Sequence, residues 1–220
     1  MGRPKVKAMI LAAGRGERLR PLTDDLPKAL VDVRGRSLLE RHLDRLAGAG
    51  IEDVVINLGW LGKQIRERIG IGSEYGLNVA YSDEGDNVLE TGGGIHNALH
   101  LLGRDPFLVV NSDIYTDMPM TEIELGENAL GHLMLVPNPD YRDEGDFDLV
   151  DGLIRNSASP TLTYSGVAVY RPELFDGCQA GRFSIVPLFI NAADDGRLEG
   201  QLYEGFWADV GTPERLAALR

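Results

Sequence analysis

The chain has 220 residues, 43% of them hydrophobic and 25% charged, an ordinary balance for a globular protein whose length predicts one α/β domain over residues 1–220. A formal charge of −12 argues against a nucleic-acid-tracking surface, so phosphate binding must be local. No apolar run approaches the roughly 18 residues needed to cross a bilayer. The lone Cys178 excludes an internal disulfide, and the short apolar stretch Ala8 to Ala13 reads as a first strand rather than a secretory segment, which predicts a cytoplasmic protein.

In chain order, Ala8 to Ala12 predicts a buried parallel strand, followed by a loop punctuated at Gly14 and Gly16. Ser37, with Glu40 three residues on, has the capping-box pattern and opens a helix whose leucines recur at Leu38, Leu39, Leu43 and Leu46. The rhythm continues with strand Val54 to Asn57, helix Lys63 to Ile69, strand Leu77 to Tyr81, helix Ile95 to Leu102 and strand Phe107 to Asn111. Such alternation predicts a parallel sheet with right-handed crossovers. The second half is richer in strands, at Ala129 to Val136, Leu149 to Ile154, Leu162 to Tyr170 and Leu198 to Tyr203, with one helix over Phe183 to Ala193; a mixed sheet is expected there.

The loop after the first strand carries the densest chemistry. In Leu11-Ala-Ala-Gly-Arg-Gly-Glu-Arg-Leu-Arg-Pro-Leu-Thr23, glycines allow backbone N–H groups close to phosphate oxygens, while Arg15, Arg18 and Lys28 offer countercharge. Leu19 stands where a dinucleotide fingerprint needs glycine, and the GK[ST] ending of a P-loop is missing. Asp113 follows Asn111-Ser112 where the strand Phe107 to Asn111 ends, at the edge of the sheet where open α/β folds bind ligands. An Asx turn would account for it equally well. Thr212-Pro213-Glu214 reads as a capped helix start, which leaves Asp209 in Trp207-Ala-Asp209-Val-Gly211-Thr212 without a capping role. Glu90-Thr91-Gly92, in a glycine run that opens a helix, permits close backbone approach to a ligand. His96 and His100 lack the glutamate of HExxH, so zinc is not expected.

Leu11-Ala-Ala-Gly-x-Gly-x-Arg-Leu-x-Pro-Leu-Thr with Pro27-Lys28 resembles the signature of sugar-1-phosphate nucleotidyltransferases. The resemblance implies a Rossmann-like three-layer α/β/α fold with a mixed, mainly parallel sheet, and transfer of a nucleotidyl group from an NTP to a sugar 1-phosphate. It places the nucleotide on Leu11, Ala12, Ala13, Gly14, Gly16, Glu90, Thr91 and Gly92, assigns catalytic countercharge to Arg18 and Lys28, and gives Mg²⁺ to Asp113 and Asp209. Ser112 stands where the family pattern has glycine. The Glu-Lys-Pro lysine of many relatives has no counterpart after Lys63, so an arginine such as Arg142 or Arg182, or the metal itself, is expected to serve the sugar phosphate.

Over nearly the whole chain, Asn57-Leu-Gly-Trp60, Leu89-Glu-Thr-Gly-Gly-Gly-Ile95 and Gly145-Asp-Phe147 are similar to the short uridylyltransferases of this family that use UTP and N-acetylmuramate 1-phosphate in peptidoglycan recycling. Asn111, Asp146, Tyr164 and Ser165 are the polar candidates to border the sugar, each also at home as a strand or turn residue. A mannose or heptose 1-phosphate guanylyltransferase is the alternative within the class, and a noncatalytic nucleotide-sugar-binding regulator the alternative outside it. Intact Lys28, Asp113 and Asp209 speak against the regulator.

Overall fold

The computed structural model describes residues 6–85, 88–121 and 123–220; Lys5, one of the four lysines, lies outside them. Strand β1 (Ala8–Leu11) leads through helix α1 (Leu22–Asp25) and the hairpin β2 (Asp32–Val33) and β3 (Arg36–Ser37) to α2 (Leu38–Gly48). Then follow β4 (Asp53–Leu58), α3 (Gly62–Ile69), β5 (Asn78–Asp83), α4 (Glu90–Leu102), β6 (Phe107–Asn111), β7 (Ile114–Thr116) and β8 (Gly131–Pro137). The chain finishes with β9 (Asp148–Val150), β10 (Leu153–Arg155), β11 (Leu162–Tyr170), α5 (Val186–Asp194), β12 (Leu198–Leu202), β13 (Trp207–Asp209) and α6 (Pro213–Ala217).

Nine strands form one sheet in the order β5-β4-β1-β6-β11-β8-β12-β10-β9. β4, β1 and β6 pair in parallel, β11 and β10 run against their neighbours, and β12 lies parallel to β8. Successive side chains of β1 show why helices cover both faces: Ala8 and Ile10 pack with Leu39, Leu43 and Leu46 of α2 and Ile65 of α3, whereas Met9 packs with Ile95 and Ala98 of α4 and Phe189 of α5. This is the mixed, mainly parallel three-layer fold expected. A smaller cluster joins Leu19, Val31, Val33 and Leu38 to Val210, Leu216 and Leu219, so the glycine-loop segment and the C-terminal Trp207 to Thr212 segment share one apolar anchor.

Local signals explain where the elements start. Ser37 and Glu40 form both halves of the capping box on α2, with the Glu40 amide donating to Ser37 Oγ at 3.3 Å and the Ser37 amide donating to Glu40 Oε2 at 3.1 Å. Two expectations change. The stretch Leu149 to Ile154 is a hairpin rather than one strand, because Asp151 (φ 53°) and Gly152 (φ 77°) form a two-residue turn between β9 and β10. The predicted helix over Phe183 to Ala193 starts only at Val186, because the Phe183 backbone is engaged elsewhere: its amide donates to Leu89 O at 3.1 Å and its carbonyl accepts from Gly93 N at 3.0 Å.

Candidate active site

A cavity of about 1010 Å³ opens where β1, β4 and β6 end, with Leu11, Asn57 and Asn111 in its wall. Carboxyl ends of parallel strands are the usual ligand position in such sheets. Ala13, Gly14, Gly16, Arg18 and Lys28 line it on the loop side; Glu90 and Thr91 line it from the start of α4.

The loop is shaped by specific contacts. Gly16 is left-handed (φ 65°), its carbonyl accepts from Thr23 Oγ1 at 2.8 Å, and a Cβ there would stand 3.0 Å from the Cβ of Lys28. Asn57 Oδ1 accepts from the Ala12 amide at 2.7 Å, while its Nδ2 donates to Glu84 Oε1 at 2.6 Å. Glu84 Oε2 accepts from the Leu89 amide at 2.8 Å. This buried relay ties the loop after β1 to the loop before α4. Burial raises the pKa of the Glu84 carboxyl, against the opposing pull of the bonds from Leu89 and Asn57. Trp60 secures the outer side, donating its indole N–H to Thr23 O at 3.1 Å, with the Arg15 guanidinium 5.1 Å over its ring.

Lys28 Nζ meets Asp113 Oδ2 at 2.6 Å, joining the signature lysine to the acidic residue after β6. Asp209 approaches through the backbone: β13 pairs antiparallel with β7, Asp209 stands opposite Ile114, and Val210 N donates to Asp113 O at 2.7 Å. Asp209 Oδ1 is held by Arg215 Nε at 2.7 Å and Tyr141 Oη at 3.1 Å, and the Arg215 guanidinium lies 4.4 Å over the Tyr141 ring. Burial, then the charge of Asp209, pushes the Tyr141 hydroxyl up to about 12, so it stays a proton donor to that carboxylate. A Cβ on Gly211 would run into Arg215 Nη2 and stand 3.0 Å from Asp209 Oδ2 and 3.2 Å from Arg18 Nη2, so this glycine leaves the room that the Arg215 guanidinium takes up beside Asp209 and Arg18.

Hard carboxylate oxygens such as those of Asp113 and Asp209 suit Mg²⁺, which binds one or two protein carboxylates and fills its shell with water and phosphate oxygens. Among the described residues no three or more His, Cys, Asp or Glu side chains stand together as a closed cage, and this ion needs none.

Ala12, Gly92, Asp146, Tyr164 and Ser165 stand apart from the cavity wall, as Asp209 does. Ala12 serves through its amide alone. Gly92 is covered by protein, since a Cβ at this position would fall 2.6 Å from the Phe183 ring; the close approach its lack of a side chain permits is to that ring rather than to a ligand. Asp146 is gripped by Arg142 (2.6 and 3.0 Å) and accepts from the Tyr164 amide at 2.9 Å. The Tyr164 hydroxyl sits 2.9 Å from that of Tyr170 within the α5-side core, and burial pushes its pKa up. Ser165 is buried, its carbonyl accepting from Trp207 Nε1 at 2.8 Å. Of the two arginines considered for the sugar phosphate, Arg182 lines the cavity, largely exposed and paired with Glu90 at 2.8 Å, while Arg142 is occupied by Asp146. Glu84, Tyr141 and Arg215 enter the site without a sequence signal; the Asn57-Leu-Gly-Trp60 run is the visible trace of the loop anchors.

The nucleotidyl transferase family matches residues 7–134, more than half of the chain. The chain belongs to this family. It is 50% identical to the N-acetylmuramate alpha-1-phosphate uridylyltransferase of Neisseria meningitidis serogroup B, covering 96% of this chain and 95% of that one. The enzyme of the same name from Caulobacter vibrioides is 39% identical, covering 98% and 96%. A mannose-1-phosphate guanylyltransferase from Mycobacterium tuberculosis is more distant, 30% identical over 97% of this chain and 63% of its own length. A Bacillus anthracis structure described as a glucose-1-phosphate thymidylyltransferase superposes with a TM-score of 0.86 at 20% identity, covering 97% of this chain and 93% of that one, a likeness of fold.

Proposed function

We propose that this nucleotidyltransferase makes UDP-N-acetylmuramate and pyrophosphate from UTP and N-acetylmuramate α-1-phosphate. The observation that carries the substrates is the 50% identity to a uridylyltransferase of that name over nearly the full length of both chains. A cytoplasmic place in peptidoglycan recycling accompanies this reading.

In the reaction, an oxygen of the sugar phosphate attacks the α-phosphorus in line and pyrophosphate leaves. The attacking phosphate is already ionised, so the site needs no general base, and rate comes from positioning and charge neutralisation. The amides of the Leu11 to Gly16 loop would hold the nucleotide, braced from behind by Asn57 and Glu84. Arg18 would face the phosphates from beside Gly211, and Lys28, fixed by Asp113, would meet the α-phosphate. Asp113 and Asp209 would hold Mg²⁺, which when bound supplies charge neutralisation at the phosphates. Arg182 at the cavity lip is free to exchange Glu90 for the sugar phosphate or the lactyl carboxylate, since an exposed ion pair contributes little.

Purified protein assayed with four NTPs against the 1-phosphates of N-acetylmuramate, N-acetylglucosamine, glucose and mannose tests the assignment. UTP with N-acetylmuramate 1-phosphate should give the highest kcat/KM. A preference for GTP with mannose 1-phosphate would overturn the substrates and leave the reaction class standing.

A further inference from the structure

The glycine run Gly92-Gly93-Gly94 lies near the start of α4, and none of its members has a positive φ, so what these residues supply is room rather than backbone freedom. A side chain on each would meet a different neighbour. A Cβ on Gly94 would stand 2.6 Å from Glu84 Oε1, one on Gly92 would stand 2.6 Å from the Phe183 ring, and one on Gly93 would run into the Gly181 carbonyl. Two of the three glycines therefore open onto the segment 181–183.

That segment is seated on α4 by backbone and side chain together. Phe183 N donates to Leu89 O at 3.1 Å, Gly93 N donates to Phe183 O at 3.0 Å, and the Phe183 ring meets His96, one turn on from Gly92, edge to face at 6.0 Å. Arg182 stands between the two docked residues and reaches the cavity lip largely exposed. Its partner Glu90 keeps a left-handed backbone (φ 60°), a conformation that costs a residue with a side chain and persists only where its surroundings enforce it.

Arg182 differs from the other cations of the cavity in origin and in what it leaves open. Arg15, Arg18 and Lys28 line the cavity from one run of chain, and Arg182 lines it from a distant segment. Its Nε and Nη2 both face Glu90 Oε1 at 2.8 Å, and among the described residues nothing bonds Nη1. Nη1 and the second N–H of Nη2 thus form a free fork, matched to the two oxygens of a carboxylate whether Glu90 stays or leaves. Arg18, Lys28 and Arg15 already supply countercharge for phosphates, so the anion left for this fork is one that the sugar itself carries.

We propose that Arg182 is a specificity-determining residue that reads a carboxylate on the sugar of the incoming sugar 1-phosphate, and that Phe183, seated on Gly92, is the positioning residue that holds it at the lip. This rests on the substrate reading above, in which the sugar is N-acetylmuramate with its lactyl carboxylate.

The test compares N-acetylmuramate 1-phosphate with its lactyl carboxamide, which keeps the shape and loses the charge, by kcat/KM at saturating UTP. The wild type should favour the acid about tenfold, and Arg182→Gln should bring that ratio to about one. Phe183→Ala should lower it to about threefold or less, with Phe183→Leu restoring most of it. The ratio is the readout because a general loosening of the site slows both substrates alike. Equal values for acid and amide in the wild type, or a preference that survives Arg182→Gln, overturn the role of Arg182 while the substrate reading stands. A ratio untouched by Phe183→Ala overturns the positioning role. A wild type that turns over mannose 1-phosphate and not N-acetylmuramate 1-phosphate overturns the substrate reading, and this proposal with it. Arg182 is largely exposed, so Arg182→Gln decides even where Phe183→Ala fails to fold.

Discussion

The two sides of the large cavity are assembled differently. On the nucleotide side, Leu11 to Lys28 supplies the amide loop, Arg18 and Lys28 from one short run of chain, and a single partner from elsewhere, Asp113, completes the cation–carboxylate pair. On the other side, Arg182 and Gly211 reach the wall from separate segments, and Asp209, two residues before Gly211, is held by Arg215 from its own segment and by Tyr141 from a distant one. A contiguous run can be read before the fold is known, because its spacing is its geometry. A set gathered from distant segments has no such spacing, so its members look like ordinary surface residues until the sheet is closed.

The largest effects should come where the two sides meet. Asp113→Asn and Asp209→Asn are each expected to lower Mg²⁺-dependent turnover on the order of 10³-fold with the fold retained, because each removes a carboxylate charge that we propose holds the ion. Steady-state rates beside circular dichroism check this, and a wild-type rate in either variant removes that residue from the site. Lys28→Ala should follow, costing on the order of 10²-fold in kcat and less in KM for UTP, since its charge matters most while charge redistributes at the α-phosphate. A change confined to KM would make Lys28 a binding residue only.

Arg215→Gln sharpens the comparison on the dispersed side. Arg215 and Tyr141 both hold Asp209 Oδ1. Partners that orient a ligand commonly contribute 10- to 100-fold to metal affinity or activity. Arg215→Gln is therefore expected to raise the Mg²⁺ concentration needed for half-maximal rate roughly tenfold and to weaken Mn²⁺ binding, followed by electron paramagnetic resonance, by a similar factor. Tyr141→Phe should do the same to a smaller degree. Unaltered Mn²⁺ binding in Arg215→Gln would show that Asp209 needs no brace.

This division accounts for what the sequence revealed. The alternation of apolar runs and glycine punctuation made the mostly parallel sheet legible, the resemblance to the nucleotidyltransferases implied the three layers, and the capping box set the start of α2 to the residue. The Leu149 to Ile154 strand failed at Asp151-Gly152, a dipeptide that itself favours a hairpin turn. Tyr164 and Ser165 looked like sugar neighbours because polar residues in a strand attract attention, yet the pleat turns Tyr164 toward Tyr170 and buries Ser165 beneath Trp207. Glu84 was invisible for a related reason: its role is to accept two hydrogen bonds from Asn57 and Leu89, and neither partner lies at a spacing that a motif would display.

The smallest expected effect on catalysis, and a separate one on stability, belongs to His42, which stands between α2 and the β7 hairpin. Burial first, and then the charge of Arg45, pushes its pKa down to about 4, against the pull of the Ile114 carbonyl and Asp113. In the unfolded chain the imidazole titrates near 6.5. A depressed native pKa means that the unfolded state takes up the proton first, so stability is fully present above about 6.5 and is lost as pH falls toward about 4. The difference corresponds to an upper bound of roughly 3 kcal/mol at the acid end, where the carboxylates also begin to titrate. His42→Leu keeps the apolar volume and removes the titration. At pH 7.5 its turnover should stay within about twofold of wild type, while its thermal midpoint should fall less than that of wild type between pH 6.5 and 4.5. Subtracting the two pH curves cancels the shared carboxylates. Parallel curves would mean that His42 stays accessible to protons in the folded protein, and the packing of α2 against β7 would then be looser than the structure has it.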